Sequence, residues 1–208
     1  MRPNSLKQRV IASLVSQFHR PRGVGGRLAG WVMAHRASNR QRSVWVVSLL
    51  DVRPTDRVLE IGFGPGIAIA ELARLATRGR IYGIDHSEVM VRLAARRNAA
   101  AVRAGRVELL HTSVEELPSF DQPLDVVLAV NSLGFWPDPA TRLRELRGLL
   151  REGGRMVLVS QPRCPGASAE TTARAARELR DRLADAGFTE FRVETLELDP
   201  PVACVIAR

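Results

Sequence analysis

Residues 58–66 read Val-Leu-Glu-Ile-Gly-Phe-Gly-Pro-Gly, a short apolar run that leads into three alternating glycines. Glycine adopts backbone dihedrals that are closed to other residues, and its missing side chain lets a ligand approach the backbone. The amphipathic stretch that follows, residues 67–77, predicts a helix whose free amide groups point into the same space. The segment therefore predicts a buried strand, a ligand-binding turn and a helix, with the carboxylate of Glu60 at the end of the strand.

The spacing of the glycines separates this turn from two common nucleotide-binding turns. The dinucleotide fingerprint is G-x-G-x-x-G/A, and counted from Gly62 and Gly64 its third small residue falls on Ile67. The phosphate-binding P-loop needs a Gly-Lys-Ser/Thr sequence, whereas the one lysine of this chain is Lys7. The pattern therefore argues against NAD and nucleoside triphosphates as ligands.

Short apolar runs alternate with amphipathic stretches after residue 50, which is typical of an α/β domain with a mostly parallel sheet. The predicted strands are 57–61, 80–84, 106–111, 124–130, 155–160, 191–198 and 202–207. The predicted helices are 67–77, 87–101, a short turn at 114–117, 139–150 and 168–186, and residues 152–154 are predicted as a turn. Only residues 199–201 separate the last two strands, so these should be antiparallel. The fold class is a Rossmann-like seven-stranded sheet, mostly parallel, with the last strand antiparallel.

The 208 residues, of which 45% are hydrophobic, suit one large core with a terminal extension. We divide the chain into an N-terminal helical extension, residues 1–50, and a main domain, residues 51–208. The extension is expected to pack over the carboxyl edge of the sheet as a lid; simple coverage of the sheet explains it equally well. Its apolar runs are too short to span a bilayer and no signal-peptide cleavage site follows them, which favours a cytoplasmic protein.

The net charge of +9 is compatible with nucleic acid, anionic lipid or acidic small molecules as partners. Almost all of the positive charge is arginine, and the arginines are spread over predicted helices. A bias of this kind commonly accompanies a GC-rich coding sequence, so the charge alone does not select nucleic acid.

The pattern Glu-x-Gly-x-Gly-x-Gly at residues 60–66 resembles motif I of the class I S-adenosylmethionine-dependent methyltransferases. In that family the glycine turn accommodates the amino-acid part of the cofactor, and the acidic residue contacts its ammonium group directly or through water. A carboxylate suits that cation and would not suit a pyrophosphate. The resemblance implies S-adenosylmethionine as cofactor, in contact with Glu60, Gly62, Phe63, Gly64 and Gly66.

Two later segments extend the resemblance. Asp85 ends the second predicted strand about 20 residues after the glycines, a distance that suits ribose recognition, so the resemblance assigns Asp85 to the ribose with His86 beside it. A surface acid that caps the helix beginning near Ser87 is the alternative. Residues 111–118 are similar to the family's Gly-Asp-Ala-Glu-Glu-Leu-Pro segment, which implies adenine contacts at Ser113 and Val114. Ser113 replaces the usual Asp, but its hydroxyl can still accept a hydrogen bond.

Residues 131–139, Asn-Ser-Leu-Gly-Phe-Trp-Pro-Asp-Pro, resemble the segment after the fourth strand in small-molecule methyltransferases related to the quinone-modifying ones. In that group this segment lies beside the reactive methyl, so the resemblance places Asn131 at the cofactor. Phe135 and Trp136 are candidate contacts for an apolar acceptor, as is Trp31 of the extension. Packing against the following helix explains Phe135 and Trp136 equally well.

Methyl transfer from a sulfonium is an in-line displacement, for which a protein mainly supplies alignment and a dry site. A base is needed only when the acceptor must lose a proton, and His35 of the extension is the candidate; a structural histidine is the alternative. Paired acids with metal-ligand spacing are missing from the sequence, so no metal is expected.

The expected acceptor is a small or lipid-like molecule. Methylation of nucleic-acid bases would favour Asn/Asp-Pro-Pro-Tyr after the fourth strand, where this chain has Asn131 followed by Ser-Leu-Gly. A nucleic-acid methyltransferase and a non-catalytic regulator that binds the cofactor are the alternatives. Peripheral membrane contact is a further alternative, because one helical face of the extension would be apolar, although core packing explains the same spacing. That face comprises Val10, Ile11, Leu14, Val15 and Phe18.

Overall fold

Seven strands form the sheet of the domain. A computed structural model describes residues 37–208. In this range the strands are β1 Arg57–Ile61, β2 Arg80–Asp85, β3 Val107–His111, β4 Leu124–Val130, β5 Leu150–Ser160, β6 Phe191–Leu196 and β7 Val202–Ala207. Their order is β3-β2-β1-β4-β5-β7-β6; the neighbours from β3 to β5 are parallel, and β7 is antiparallel to β5 and β6. The predicted fold class is confirmed.

Helices connect the strands and cover both faces of the sheet. They are α1 Ala37–Ser48, α2 Ile67–Leu75, α3 Glu88–Arg97, α4 Ala99–Arg103, α5 Pro139–Leu149 and α6 Ala169–Asp185. A capping box between Ser168 and Thr171 begins α6, which agrees with the predicted start of that helix. The short helical turn predicted at 114–117 is a single hydrogen-bonded turn, in which the Glu116 N–H donates to the Ser113 carbonyl at 3.2 Å.

Part of the predicted extension falls outside the described residues. This part includes the apolar face of Val10, Ile11, Leu14, Val15 and Phe18 and the candidate site residues Trp31 and His35. Within the described part, α1 confirms a helical segment before residue 50, and it packs against α2 through a face that includes Val46 and Val47. The lid stays a prediction.

The single helix predicted over 87–101 is interrupted at Asn98, between α3 and α4. Asn98 leaves helical geometry, with φ −104° and ψ 18°. Its buried side-chain amide donates to the carbonyls of Gly66 at 3.2 Å and Ala94 at 2.9 Å. The break therefore ties α3 to the glycine turn after β1, a long-range contact that local periodicity does not encode.

Replacing Asn98 by Ala is expected to lower the free energy of unfolding by about 1 to 2 kcal/mol, because two hydrogen bonds from a buried amide are lost. Urea unfolding monitored by circular dichroism measures the change. Replacement of the exposed Ser119 by Ala serves as the control and should leave stability unchanged. Equal stability of N98A and the wild type would contradict this role of the side chain.

Strand β5 begins earlier than predicted. The turn expected at residues 152–154 is instead a bulge within the strand, because Leu124 lies opposite Leu150 whereas Val126 lies opposite Arg155. Gly153, at φ +67°, accommodates the extra residues. Gly153 and Gly154 thus shift the register between β4 and β5 without ending the pairing of the two strands.

The strands bury side chains on both faces, as expected for a parallel sheet covered by helices. One core layer, which includes Val58 and Leu128, lies with α1 and α2, and Trp45 packs against it. The other layer, which includes Leu59 and Leu158, lies with α5 and α6 and contains Trp136. Because successive strand residues alternate in direction, Glu60 shares the face of Val58. The carboxyl ends of β1, β2, β4 and β5 lie at one edge, where the predicted site residues follow them.

Candidate active site

The turn after β1 requires glycine for two different reasons. Gly62, Gly64 and Gly66 all have left-handed backbone angles, at φ +74°, +54° and +72°. A Cβ on Gly62 would lie 2.5 Å from the Cβ of Ser132, and one on Gly66 would lie 2.7 Å from the Cβ of Ala94. A Cβ on Gly64 would meet nothing within 4 Å. Packing therefore dictates the outer two glycines, whereas Gly64 borders open space that a ligand can enter.

Phe63 contributes its side chain to the core. The ring is 4% exposed and covers Gly83, where a Cβ would lie 2.7 Å from Phe63 Cδ1. Gly83 in turn belongs to β2 and pairs with Glu60. The ring therefore packs against β2, and only the backbone of Phe63 is available to a ligand in the turn.

Glu60 is a buried carboxylate with an unsatisfied oxygen. The residue is 3% exposed, and Oε2 has no hydrogen-bond partner among the described residues. Burial, together with the negative charge of Asp85, raises the pKa of Glu60 to about 8, and the backbone of Ile69 opposes this shift by hydrogen bonding. A carboxylate placed in this way is unfavourable unless a cation or a hydrogen-bond donor joins it.

Asp85 is buried, so the alternative of a surface acid is wrong. It accepts hydrogen bonds from the N–H of Gly64 at 2.8 Å and from the N–H of Ser87 at 2.9 Å. It therefore closes the glycine turn and also holds the backbone of Ser87, the residue that precedes α3. Burial raises the pKa of Asp85, while the two N–H groups and the nearby His86 and His111 lower it. Each oxygen keeps a lone pair for a hydroxyl donor.

The residues after β2 and β3 lie together. His86 Nδ1 is 3.9 Å from Asp85 Oδ1, and His111 Nε2 is 3.1 Å from the His86 carbonyl oxygen. Ser113 Oγ accepts from the Glu115 N–H at 3.2 Å, which holds the loop after β3. Val114 is buried in the core layer of Trp136. Among these predicted contacts, His86 and Ser113 are therefore more accessible than Val114.

The segment after β4 joins the glycine turn to β5. Asn131 has a left-handed backbone, with φ +54°, and its Oδ1 accepts from the Gln161 N–H at 2.7 Å. The Ser132 hydroxyl donates to the Ile61 carbonyl at 2.6 Å. The sequence did not predict this role of Ser132, because a serine after a strand can cap a helix, form a turn or face solvent. Its position directly after Asn131 was the available signal.

The two aromatic residues of this segment separate in the structure. Trp136 is 7% exposed and packs in the core layer with Leu143 and Leu146, so the packing explanation holds for it. Phe135 lies at the end of a short 3-10 helix, Leu133–Phe135, and is 50% exposed. Phe135 is therefore the better placed of the two to meet another molecule.

A polar network that sequence reasoning missed lies at the carboxyl end of β5. Arg42 of α1 donates through Nη1 to Gln161 Oε1 at 2.6 Å and through Nη2 to Asn39 Oδ1 at 3.0 Å. Arg163 Nη2 donates to the same Asn39 oxygen at 2.9 Å. Gln161 also donates through Nε2 to the Pro200 carbonyl at 2.8 Å. The spacing of Asn39, Arg42, Val46 and Val47, which places them on one helical face, was the available signal.

Residues 37–208 contain neither a metal-binding cluster nor a helix that could cross a membrane. Histidine, cysteine, aspartate and glutamate side chains do not come together in a group of three or more that could hold a metal ion. None of the helices in this part of the chain combines the length and the apolar character needed to cross a membrane.

Comparisons with known proteins agree with this geometry. A family model described as a methyltransferase domain matches residues 58–154, from β1 to the bulge in β5. The YdaC protein of Bacillus subtilis strain 168, whose name calls it an uncharacterized methyltransferase, is 31% identical over 182 residues, which cover 87% of this chain and 97% of YdaC. The ubiquinone/menaquinone biosynthesis C-methyltransferase UbiE of Geotalea daltonii is 30% identical over 122 residues, which cover 57% of this chain and about half, 52%, of UbiE.

Solved structures share the fold at low sequence identity. An S-adenosylmethionine-dependent methyltransferase from Aquifex aeolicus superposes with a TM-score of 0.63 at 22% identity, covering 79% of this chain and 88% of that protein. Magnesium protoporphyrin IX methyltransferase from Synechocystis, crystallised with S-adenosylhomocysteine, gives a TM-score of 0.65 at 20% identity, covering 83% and 84%. The fold and the glycine turn define a Rossmann-like methyltransferase. The chain belongs to the class I S-adenosylmethionine-dependent methyltransferases. The predicted enzyme class and cofactor are thereby confirmed.

Proposed function

We propose that the protein transfers the methyl group of S-adenosylmethionine to a small or lipid-like acceptor, and that the carboxyl ends of β1, β2 and β4 hold the cofactor. The observation that carries the proposal is the buried Glu60 carboxylate, whose Oε2 lacks a partner among the described residues. Gly64, in the same turn, borders open space. A cationic ammonium group is the chemistry that would satisfy this oxygen.

The remaining polar groups of the turn suit the rest of the cofactor. Asp85 keeps acceptor capacity toward ribose hydroxyls after its two backbone hydrogen bonds. The Ser113 hydroxyl, beside His111 and His86, is the candidate adenine contact. Asn131, which follows β4, lies on the other side of β1 and would border the amino-acid and sulfonium end. The order of these residues along the sheet matches the order of the cofactor's parts.

The cofactor supplies an electrophilic methyl group on a positively charged sulfur. The protein's contribution is then alignment and exclusion of water, which can account for a large share of the rate enhancement in a displacement of this type. The buried Ser132 hydroxyl fixes the distance between the glycine turn and the segment after β4. His35 stays the proposed base for acceptors that must lose a proton.

Two observations support a small or lipid-like acceptor. UbiE and demethylmenaquinone methyltransferases are among the relatives at 28 to 30% identity, and their names indicate quinone substrates. Phe135, four residues after Asn131, presents a half-exposed aromatic surface near the proposed methyl-transfer site. An aromatic or isoprenoid acceptor would contact such a surface favourably.

The affinity for S-adenosylmethionine is expected to rise with pH between about 6 and about 8, by up to about tenfold per pH unit. The reason is that Glu60 must be ionised to bind an ammonium group, and its pKa in the free protein is about 8. Binding should therefore release a proton at neutral pH. Isothermal titration calorimetry in two buffers of different ionisation enthalpy measures that release. A pH-independent affinity would contradict the role of Glu60.

The acceptor class is tested by a labelled-methyl experiment. The full-length protein and methyl-labelled S-adenosylmethionine are incubated separately with small-molecule, lipid and RNA fractions of a cell extract. We expect label in the small-molecule or the lipid fraction, and none with an Asp85→Ala variant. Label confined to RNA would overturn the acceptor proposal, and cofactor binding without any labelled product would favour a regulator.

A further inference from the structure

We propose that the methyl acceptor carries an anionic group, a carboxylate or a phosphate, and that Arg42 and Arg163 bind this group together at the carboxyl end of β5. The inference rests on the proposed function, because it names the class of acceptor for the same site. Four observations carry it: the geometry of the arginine pair, its electrostatics, the charge distribution along the chain and the position of the pair in the sheet.

The two guanidinium groups converge on one point. Nη2 of Arg42 and Nη2 of Arg163 donate to the same oxygen, Asn39 Oδ1, at 3.0 and 2.9 Å. The two nitrogens therefore lie no further apart than two hydrogen-bond lengths. A neutral amide offers both arginines a single oxygen, whereas a carboxylate or phosphate offers two or three charged ones and matches the fork of a guanidinium.

Arg42 is a buried cation whose hydrogen bonds, within residues 37–208, go to neutral amide groups. It is 7% exposed and donates hydrogen bonds to the side-chain amide oxygens of Gln161 and Asn39, and its Nε has no partner among the described residues. Burial and the positive charge of Arg163 lower the pKa of Arg42 to about 10, so it stays charged at neutral pH. A buried charge of this kind is costly until an anion joins it.

The sequence offers no acid from the N-terminal side to neutralise the pair. Residues 1–50 contain nine basic residues and no aspartate or glutamate, while residues 51–208 contain 22 basic and 22 acidic residues. The whole net charge of +9 thus belongs to the first 50 residues, because the arginines occur along the entire chain whereas every aspartate and glutamate lies after residue 50. Within the described part of this segment, Arg40 also has an arginine nearby, because burial and then the positive charge of Arg40 lower the pKa of Arg97.

The position of the pair assigns it to the acceptor. The Gln161 N–H donates to Asn131 Oδ1 at 2.7 Å, and the Gln161 side chain accepts a hydrogen bond from Arg42. Gln161 therefore links Arg42 directly to the segment that follows β4. Strand β5 is two strands from β1, on the side away from β2 and Asp85. The proposed ribose and adenine contacts lie on the opposite side. A group held by Arg42 would therefore extend from the methyl-transfer end of the cofactor.

Burial also decides between a small molecule and a polymer. Nucleic-acid backbones present phosphates in series and are bound by exposed arginines and lysines along a surface. Arg42 is largely enclosed, with Asn39 buried beside it, and only Arg163 of the pair is exposed, so the pair suits a single terminal anionic group. We therefore infer a small acidic acceptor and treat RNA as an outcome of the test.

The test measures thermal unfolding of the full-length protein with inorganic phosphate or benzoate, each compared with chloride at equal ionic strength. The compared proteins are the wild type, R42Q, the exposed-site variant R163Q, and R144Q, which removes the same charge from an exposed position on α5. The unfolding midpoint of the wild type should rise with at least one probe. A rise with phosphate only indicates that the pair binds a phosphate, and a rise with benzoate only indicates a carboxylate. R42Q and R163Q should bind that probe at least about tenfold more weakly. R144Q should behave as the wild type.

Calorimetry with S-adenosylmethionine separates this inference from the proposed function. R163Q and R42Q should retain the wild-type affinity for the cofactor within about threefold. Should both lose cofactor and probe binding to the same extent, the pair serves the cofactor and the inference fails. Failure of both probes to stabilise the wild type, loss of the response in R144Q, or labelled product that is neutral on an anion exchanger would overturn it. If R42Q does not fold, R163Q alone decides.

Discussion

Glu60→Gln should weaken S-adenosylmethionine binding by about a hundredfold at pH 8 and at the same time stabilise the protein without cofactor. The affinity falls because a charge-assisted hydrogen bond to the ammonium group is lost, worth about 2 to 3 kcal/mol. Stability rises because a neutral amide avoids the cost of the buried carboxyl, whose pKa is about 8 in the folded chain against 4.5 ordinarily. At pH 7 that cost is about 3 kcal/mol.

The sign of the stability effect makes this prediction specific. Because the pKa of Glu60 is raised in the folded protein, the free energy of unfolding falls as the pH rises from about 4.5 to about 8. Over this range the carboxyl group ionises first in the unfolded chain. The difference between E60Q and the wild type should therefore be large at pH 8 and vanish near pH 4. Urea unfolding at both pH values measures it, and E178Q, at an exposed position on α6, is the control. Destabilisation by E60Q at pH 8 would show that Glu60 is a structural residue.

Gly62→Ala and Gly64→Ala should affect different properties although the two glycines are two residues apart. In G62A the new Cβ would lie 2.5 Å from Ser132 Cβ at a residue with φ +74°, so the free energy of unfolding should fall by about 3 kcal/mol or more. In G64A the Cβ meets no atom within 4 Å, so only the backbone cost of about 1 kcal/mol remains. That Cβ would stand in the proposed cofactor space, and affinity should fall at least about tenfold.

A second substitution tests the cause of the instability. Ser132→Gly removes the atom that the new side chain of G62A would meet, so the double variant should recover part of the lost stability. It should not recover all of it, because the left-handed backbone at residue 62 remains strained and the hydrogen bond from Ser132 to Ile61 is lost. Equal destabilisation by G62A and G64A would contradict the distinction between a packing glycine and a ligand-facing glycine.

The elements with strong local signals could be predicted from the sequence. The short apolar runs of strands buried on both faces predicted the bounds of β1, β4 and β7, because a strand covered on both sides needs hydrophobic residues on both faces. The glycine turn and the acids that end β1 and β2 also follow one another in the chain. Their mutual proximity follows from the topology of a parallel sheet, in which the carboxyl ends of adjacent strands share an edge.

The remaining features depend on contacts between distant residues. Asn98 interrupts a sequence with good helix periodicity because its side chain binds the Gly66 carbonyl, 32 residues earlier. Phe63 was expected at the cofactor, yet Gly83 leaves a gap on β2 that its ring fills. Arg42 meets Gln161 across 119 residues, so neither composition nor spacing could pair them. Local periodicity carries no information on these pairs.

The two core layers give each face of the sheet its own optical probe. Trp45 packs against the layer of α1 and α2, and Trp136 lies inside the layer of α5 and α6. In a protein in which Trp31 is replaced by phenylalanine, replacement of Trp45 or Trp136 as well leaves tryptophan fluorescence from one core layer only. Stopped-flow refolding of the two single-tryptophan proteins would then report whether the layers consolidate at the same rate or one after the other.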